Sequence, residues 1–191
     1  MKTTILILAL FAAVACFAAG WERTYGGSDW DIGFSVAQTS DGGYIVAGRT
    51  ESLGAGLTDV YLVKTDAVGD TIWTRIYGGS GSDENEGASV AQTSDGGYII
   101  SGMTYSFGAG GDVYLVKTDS VGDTIWTRIY GGSSMDWGNS VAQTSDGGYI
   151  VAGMTESFGA GSWDVYLVKT DSLGYTGIEA VSYTHLRAHE T

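Results

Sequence analysis

The 191-residue chain contains no proline, one cysteine, two histidines and only nine Lys and Arg. Each scarcity removes a class of function. The lone cysteine, Cys16, lies in the first twenty residues, so disulfides, thiolate metal sites and cysteine catalysis are excluded from the rest. His185 and His189 stand among the final residues, where chain ends fray. The body therefore lacks the usual general base, the Ser-His-Asp and Cys-His arrangements, and the zinc and copper ligand sets. Nine basic residues against 22 acidic ones give a net charge of −13, which argues against nucleic acid or an anionic membrane as partner, since both need basic surface. What is abundant is glycine, 31 residues, about twice average usage. Long helices are disfavoured at that density. A 43% hydrophobic content is too high for disorder, so the chain is expected to fold.

Residues 1–20 read as a secretory signal. Lys2 supplies the positive start, Ile5 to Val14 is an unbroken apolar run, and Ala18-Ala19-Gly20 supplies small residues before Trp21. The apolar core is far short of the roughly 20 residues that span a bilayer, so no transmembrane span is expected. Val14-Ala15-Cys16 weakly resembles a bacterial lipobox, with Ala13 where a larger aliphatic residue is usual; lipidation of Cys16 is the alternative. The implied location is secreted or cell envelope. Residues 178–191 match no other part of the chain, and from Val181 onward (VSYTHLRAHET) they resemble translated sequencing-adapter read-through.

Between these ends one unit is written three times. SVAQTSDGGYI recurs from Ser35, Ser89 and Ser140, and DVYLVKTD from Asp59, Asp112 and Asp164. GDTIWTRIYGGS starts at Gly69 and Gly122, with a degenerate first copy, WERTYGGS, from Trp21. The repeats span about 21–72, 73–125 and 126–177, a period that marks arrays or propellers.

Each unit carries four strand signals. SVAQTS ends at Ser-Asp-Gly-Gly, and GYIVAG follows at once, a hairpin cue because the tight turn needs positive φ. In DVYLVKTD the apolar positions are consecutive, which predicts a strand covered on both faces. The fourth strand alternates, with Ile72, Thr74 and Ile76 on one face and Trp73, Arg75 and Tyr77 on the other. The expected fold is all-β: three four-stranded antiparallel β-propeller-type blades forming an incomplete or open propeller. A parallel β-solenoid is the competitor, but its strands coil in one direction and do not fold back through Asp-Gly hairpins.

The motifs W-T-R-x-Y-G-G-S, D-x-G-x-S-V-x-Q-T-S-D-G-G-Y-I and D-V-Y-L-V-K-T-D resemble the β-propeller-type repeats of large secreted bacterial proteins. The resemblance covers residues 21–177 and implies kelch-like geometry, an extracellular or surface location and, often, a C-terminal sorting domain. Thr176-Gly177-Ile178-Glu179 looks like the junction to such a segment. Propellers have four to eight blades, and three repeats are present here. The third lacks its fourth strand, since Gly174 is followed by Tyr-Thr-Gly, while Trp21 to Gly27 is a fourth strand with no blade before it. Closure by a shared strand in a longer array, or self-association through open blade edges into a six-bladed ring, would reconcile the count.

The candidate ligand-binding residues are Trp30, Asp31, Asp136, Trp137, Asn139 and Trp163. The tryptophans fall in loops and do not repeat in all three units, and their faces suit sugar rings, with neighbouring carboxylate and amide groups for hydroxyls. Asp31, Asn85 and Asp136, each four residues before the serine of SVAQTS, could line an oxygen site for calcium or a sugar, or bond their own turn. Asp83-Glu84-Asn85-Glu86 could bind a cation or solvate a loop. The Gly-Ala-Gly loops at Gly54, Gly108 and Gly159 lack the lysine and helix of a phosphate cradle. No catalytic residue, metal site or cofactor motif is read. The expected function is a non-catalytic scaffold or adhesion module binding a glycan or an extracellular protein. The alternative is part of a carbohydrate-active enzyme using acidic loop residues.

Overall fold

The computed structural model describes residues 20–83 and 89–177. The expected leader with Cys16, the acidic Glu84-Asn85-Glu86 and the tail from residue 178 lie outside the described residues. Every regular element among those described is a strand: β1 (Asp31–Gln38), β2 (Tyr44–Thr50), β3 (Asp59–Thr65), β4 (Thr71–Tyr77), β5 (Ser89–Gln92), β6 (Tyr98–Thr104), β7 (Asp112–Thr118), β8 (Thr124–Tyr130), β9 (Asp136–Gln143), β10 (Tyr149–Thr155) and β11 (Asp164–Thr170). No helix is long and apolar enough to cross a membrane among the described residues.

The strands form three antiparallel sheets, β1-β2-β3-β4, β5-β6-β7-β8 and β9-β10-β11, one per repeat length but shifted in phase, since β4 and β8 run past the repeat bounds at 72 and 125. Within each sheet consecutive strands pair antiparallel, so the chain is not a coil of parallel rungs. Two turns impose the reversals. In the first, Gly42 N–H donates to Thr39 O at 2.9 Å and Asp41 Oδ1 accepts from Gly43 N–H at 3.0 Å. Gly42 sits at φ 85° and Gly69, in the second turn, at φ 84°, left-handed values that glycine adopts without a Cβ penalty. In that second turn Asp66 Oδ1 accepts from the N–H groups of Val68 and Asp70, both at 2.9 Å. Among the described residues the third sheet has three strands where the other two have four, in keeping with the lack of a fourth-strand motif in the third repeat: its second turn leads into Tyr175-Thr176-Gly177 and not the Thr-Ile-Trp that opens β4.

The sheets stack face to face. Ile45, Ala47, Val60 and Leu62 of the first sheet meet Val90, Tyr98, Ile100, Tyr114 and Val116 of the second in one core. Ile99, Val113 and Leu115, on the second sheet's other face, meet Tyr149, Val151 and Val168 of the third. The consecutive apolar residues of β7 are thus used in alternation, odd positions toward one neighbour and even toward the other, and the whole strand is buried. Aromatic clamps tie sheet to sheet. Trp73 meets Tyr98 edge-on at 5.8 Å and Trp126 meets Tyr149 at 5.7 Å. The Tyr77 hydroxyl donates to Gly122 O and the Tyr130 hydroxyl to Gly174 O, both at 2.7 Å.

The same clamp occurs a third time with no strand behind it. Trp21 meets Tyr44 at 5.7 Å and the Tyr25 hydroxyl donates to Gly69 O at 2.7 Å. Residues 21–27 form no strand, yet they lie on the first sheet as β4 lies on the second.

Burial and charge set the pH range of this fold. Hydrogen bonds from Thr39, Lys64 and Gly43 hold the Asp41 carboxyl far below its ordinary value, and those from Lys169, Thr144 and Gly148 do the same for Asp146. At Asp95 burial opposes the effect, but bonds from Lys117, Thr93 and Gly97 prevail and leave it at about 2. Lowered carboxylate values confer stability that is present above about pH 4 and lost as pH falls toward 2. Asp112, raised by burial and by the charge of Asp136, acts in the opposite sense and is outnumbered. At the alkaline end, burial pushes Tyr98 and Tyr114 up to about 12, and Tyr77 and Tyr130 higher still. Their ionisation is easier in the unfolded chain, so stability falls as pH rises above 10. Thermal melts followed by circular dichroism should show a plateau from about pH 5 to 9 and falling midpoints on both sides. Tyrosinate absorbance should appear together with unfolding and not before it.

Candidate functional site

Two of the six candidate residues are committed to holding turns. Asp31 Oδ2 accepts from Gly27 N–H at 2.7 Å and from the Ser52 hydroxyl at 2.8 Å. Asp136 Oδ2 accepts from Gly132 N–H at 2.8 Å and the Ser157 hydroxyl at 2.6 Å, and the residue is fully buried. Burial opposes ionisation of Asp31, yet bonds from Thr50, Gly27 and Ser52 outweigh it and hold its carboxyl below the ordinary value. The counterpart in the second repeat is Asp83 and not Asn85. Asp83 accepts from Gly79 N–H and the Ser106 hydroxyl, both at 2.6 Å, and from Thr104. The second repeat carries two extra residues between this aspartate and its SVAQ strand, so the residue four before Ser89 is Asn85, which lies outside the described residues.

A second set of aspartates fills the Gly-Ala-Gly loops. Asp59 Oδ2 accepts from Ala55 N–H at 3.0 Å, Asp112 Oδ2 from Ala109 N–H at 2.9 Å, and Asp164 Oδ2 from Ala160 N–H at 3.0 Å. The amides that a bound phosphate would require are occupied by the protein's own carboxylates. Among the described residues no group of three or more His, Cys, Asp or Glu is placed to hold a metal ion.

The tryptophans behave differently. Trp30 is 66% exposed at the entry to β1, with its carbonyl accepting from Glu51 N–H at 2.8 Å. Trp137 and Trp163 come together, with ring centroids 5.8 Å apart and planes tilted by 43°. The sheet register places them. Met154 pairs with Trp137 on one side and Val165 on the other, and Ala152 pairs with Leu167, so these residues share the face of the third sheet turned away from the second. Val165, Leu167 and Trp163 are exposed there. Asn139 is exposed at the bulge in β9, where the register slips between Ser140 and Gly138. The structure thus groups Trp137 with Trp163 on an apolar sheet face that the sequence reading did not single out, and turns Asp31 and Asp136 inward.

No protein-family profile matches the chain. A search of curated proteins finds similarity to the regulatory protein FlaEY of Caulobacter vibrioides, 29% identical over 158 residues, covering 70% of this chain and 16% of that protein. The chain spans about a sixth of the length of that relative.

Proposed function

We propose that this chain is a secreted or cell-surface repeat scaffold whose sheets are propeller-type blades and whose loops and open sheet face bind a protein or a glycan without catalysis. The observation that carries the reading is the Trp137–Trp163 pair beside exposed Val165 and Leu167. A contiguous apolar patch with aromatic faces is a recognition surface, since a soluble protein otherwise covers it. Asp31, Asp83 and Asp136, with Asp59, Asp112 and Asp164, are bonded to their own turns and loops in every repeat, which weighs against an enzyme that would use these carboxylates for glycoside hydrolysis. The leader-like residues 1–20 support export, and a match to part of a much longer protein fits a module within a larger array.

The test is retention of the full chain on a polysaccharide panel, wild type beside Trp30→Ala, Trp137→Ala and Trp163→Ala. Loss of at least about tenfold in affinity from the Trp137 or Trp163 change, about 1.4 kcal/mol, is expected for a glycan partner. Unchanged retention in all three variants removes the glycan version. Turnover of a glycoside by the purified chain removes the non-catalytic reading altogether.

A further inference from the structure

Val60, Val113 and Val165 hold one position of the repeat, yet the first two are 1% and 0% exposed and the third is 86% exposed. At the opposite end Val36 is 64% exposed, where its counterparts Val90 and Val141 are 5% and 6%. Identical side chains on the same local structure differ here only in what lies against them. The stack therefore presents, among the described residues, the two unmatched halves of an interface that it builds twice internally.

We infer that the outer face of the third sheet docks onto the outer face of the first sheet of a second copy of this chain. The inference rests on the reading of that face as a recognition surface, and it names the partner. The fit is specific. At Gly138 of β9 an added Cβ would lie 2.9 Å from Val113 of the preceding sheet, whereas at Gly33, its counterpart in β1, it would meet only Val46 of its own sheet, at 3.3 Å. Beside Gly33 is a cavity of about 260 Å³, lined by Val46, Gly48, Tyr61, Val63 and Tyr25 among others. Val165 of a second copy enters this socket as Val113 packs over Gly138.

The backbone completes the match. Segment 21–27 already clamps the first sheet in the manner of a fourth strand, and β11 pairs only with β10 among the described strands. In the first sheet Val60 pairs with Tyr77, Leu62 with Arg75 and Lys64 with Trp73. By the same register, β11 of one copy sets Val165 opposite Tyr25, Leu167 opposite Arg23 and Lys169 opposite Trp21 of the next. Ser40 N–H donates to Gln92 Oε1 and Ser94 N–H to Gln143 Oε1, both at 2.8 Å; docking brings Ser145 N–H to Gln38 in the same way. The two faces are different surfaces, so the contact is heterologous and leads to a ring or an open chain.

The test uses the full chain in two forms. Sedimentation velocity compares wild type with Val165→Arg, with far-UV circular dichroism at high dilution showing that each copy of the variant keeps its β-sheet fold. Oxidative cross-linking uses Arg23→Cys with Leu167→Cys in a Cys16→Ser background, beside each new cysteine alone. Docking gives concentration-dependent dimers or larger species, an about tenfold or greater weakening with Val165→Arg, and a cross-linked ladder only when both cysteines are present. A wild type that stays monomeric, whether its tail covers the face or nothing does, overturns the inference, as does association indifferent to Val165→Arg or cross-linking equally strong with one cysteine. Retention of a monomeric wild type on polysaccharide would overturn docking while leaving the binding-module reading standing. Glycoside turnover by an associating wild type would do the reverse.

Discussion

Gly153→Ala is expected to destabilise the protein by at least ~3 kcal/mol, a large effect for one methyl group. Gly153 pairs with Gly138 where the bulge brings β9 and β10 close together. A Cβ at that position would lie 1.6 Å from the carbonyl oxygen of Trp137 and 2.7 Å from its carbon. Both atoms are backbone, so no side chain can rotate away; the strands must separate and lose their ladder bonds. Gly161 provides the contrast, since an added Cβ there meets nothing within 4 Å. Gly161→Ala should be neutral or stabilise by about 0.4–1 kcal/mol through the smaller entropy of the unfolded chain. Urea denaturation of the two variants decides the matter, and similar midpoints would contradict the close approach of these strands.

The second large effect is expected from lysines that make the same bonds in different surroundings. Lys117 Nζ donates to both Asp95 oxygens, at 3.1 and 2.8 Å, and to Thr118 O at 2.7 Å. Lys169 Nζ donates to both Asp146 oxygens, at 3.1 and 2.8 Å, and to Thr170 O at 2.9 Å. The Lys117 side chain is 3% exposed and that of Lys169 is 45% exposed. Removing Lys117 leaves Asp95 and the Thr118 carbonyl short of a donor at a covered site. Because the Asp95 side chain is itself 56% exposed, solvent recovers part of the loss, and Lys117→Ala should cost about 2–3 kcal/mol. Lys169→Ala should cost under about 1 kcal/mol, as solvated pairs do. Equal losses in the two variants would mean that coverage by the neighbouring sheet does not govern this pair.

Much of the fold is legible in the sequence, for local reasons. Asp-Gly turns at fixed offsets place the hairpins, because few residues other than glycine adopt the required φ, and the strands between them are named by their β-branched and aromatic residues. The continuous apolar run Val113-Tyr114-Leu115-Val116 announces burial on both faces, and β7 is buried along its length. The missing fourth strand of the third repeat and the orphan Trp21–Gly27 segment can also be read, although the segment holds its place by the Trp21 ring and the Tyr25 hydroxyl and not as a strand.

The candidate site was less accessible. Asp31 and Asp136 share a carboxylate's chemistry with any ligand-binding aspartate, and only their bonds to Gly27, Ser52, Gly132 and Ser157 reveal that they cap turns. Spacing to Ser89 points to Asn85, but two extra residues in its repeat move the true counterpart to Asp83. Trp137, in β9, and Trp163, just before β11, are 26 positions apart in the chain and meet because β10 pairs with both strands.

By itself the sequence determined the repeat, the antiparallel sheet content and the turn positions, since all of these follow from short-range φ preferences and side-chain alternation within each unit. Only the tertiary structure decided which copies of one motif are covered. Val113 and Val165 stand in the same octapeptide and cannot be told apart by any local rule. Their burial differs because a third sheet lies against the second and, among the described residues, none lies against the third. Burial belongs to the assembled stack and not to the residue.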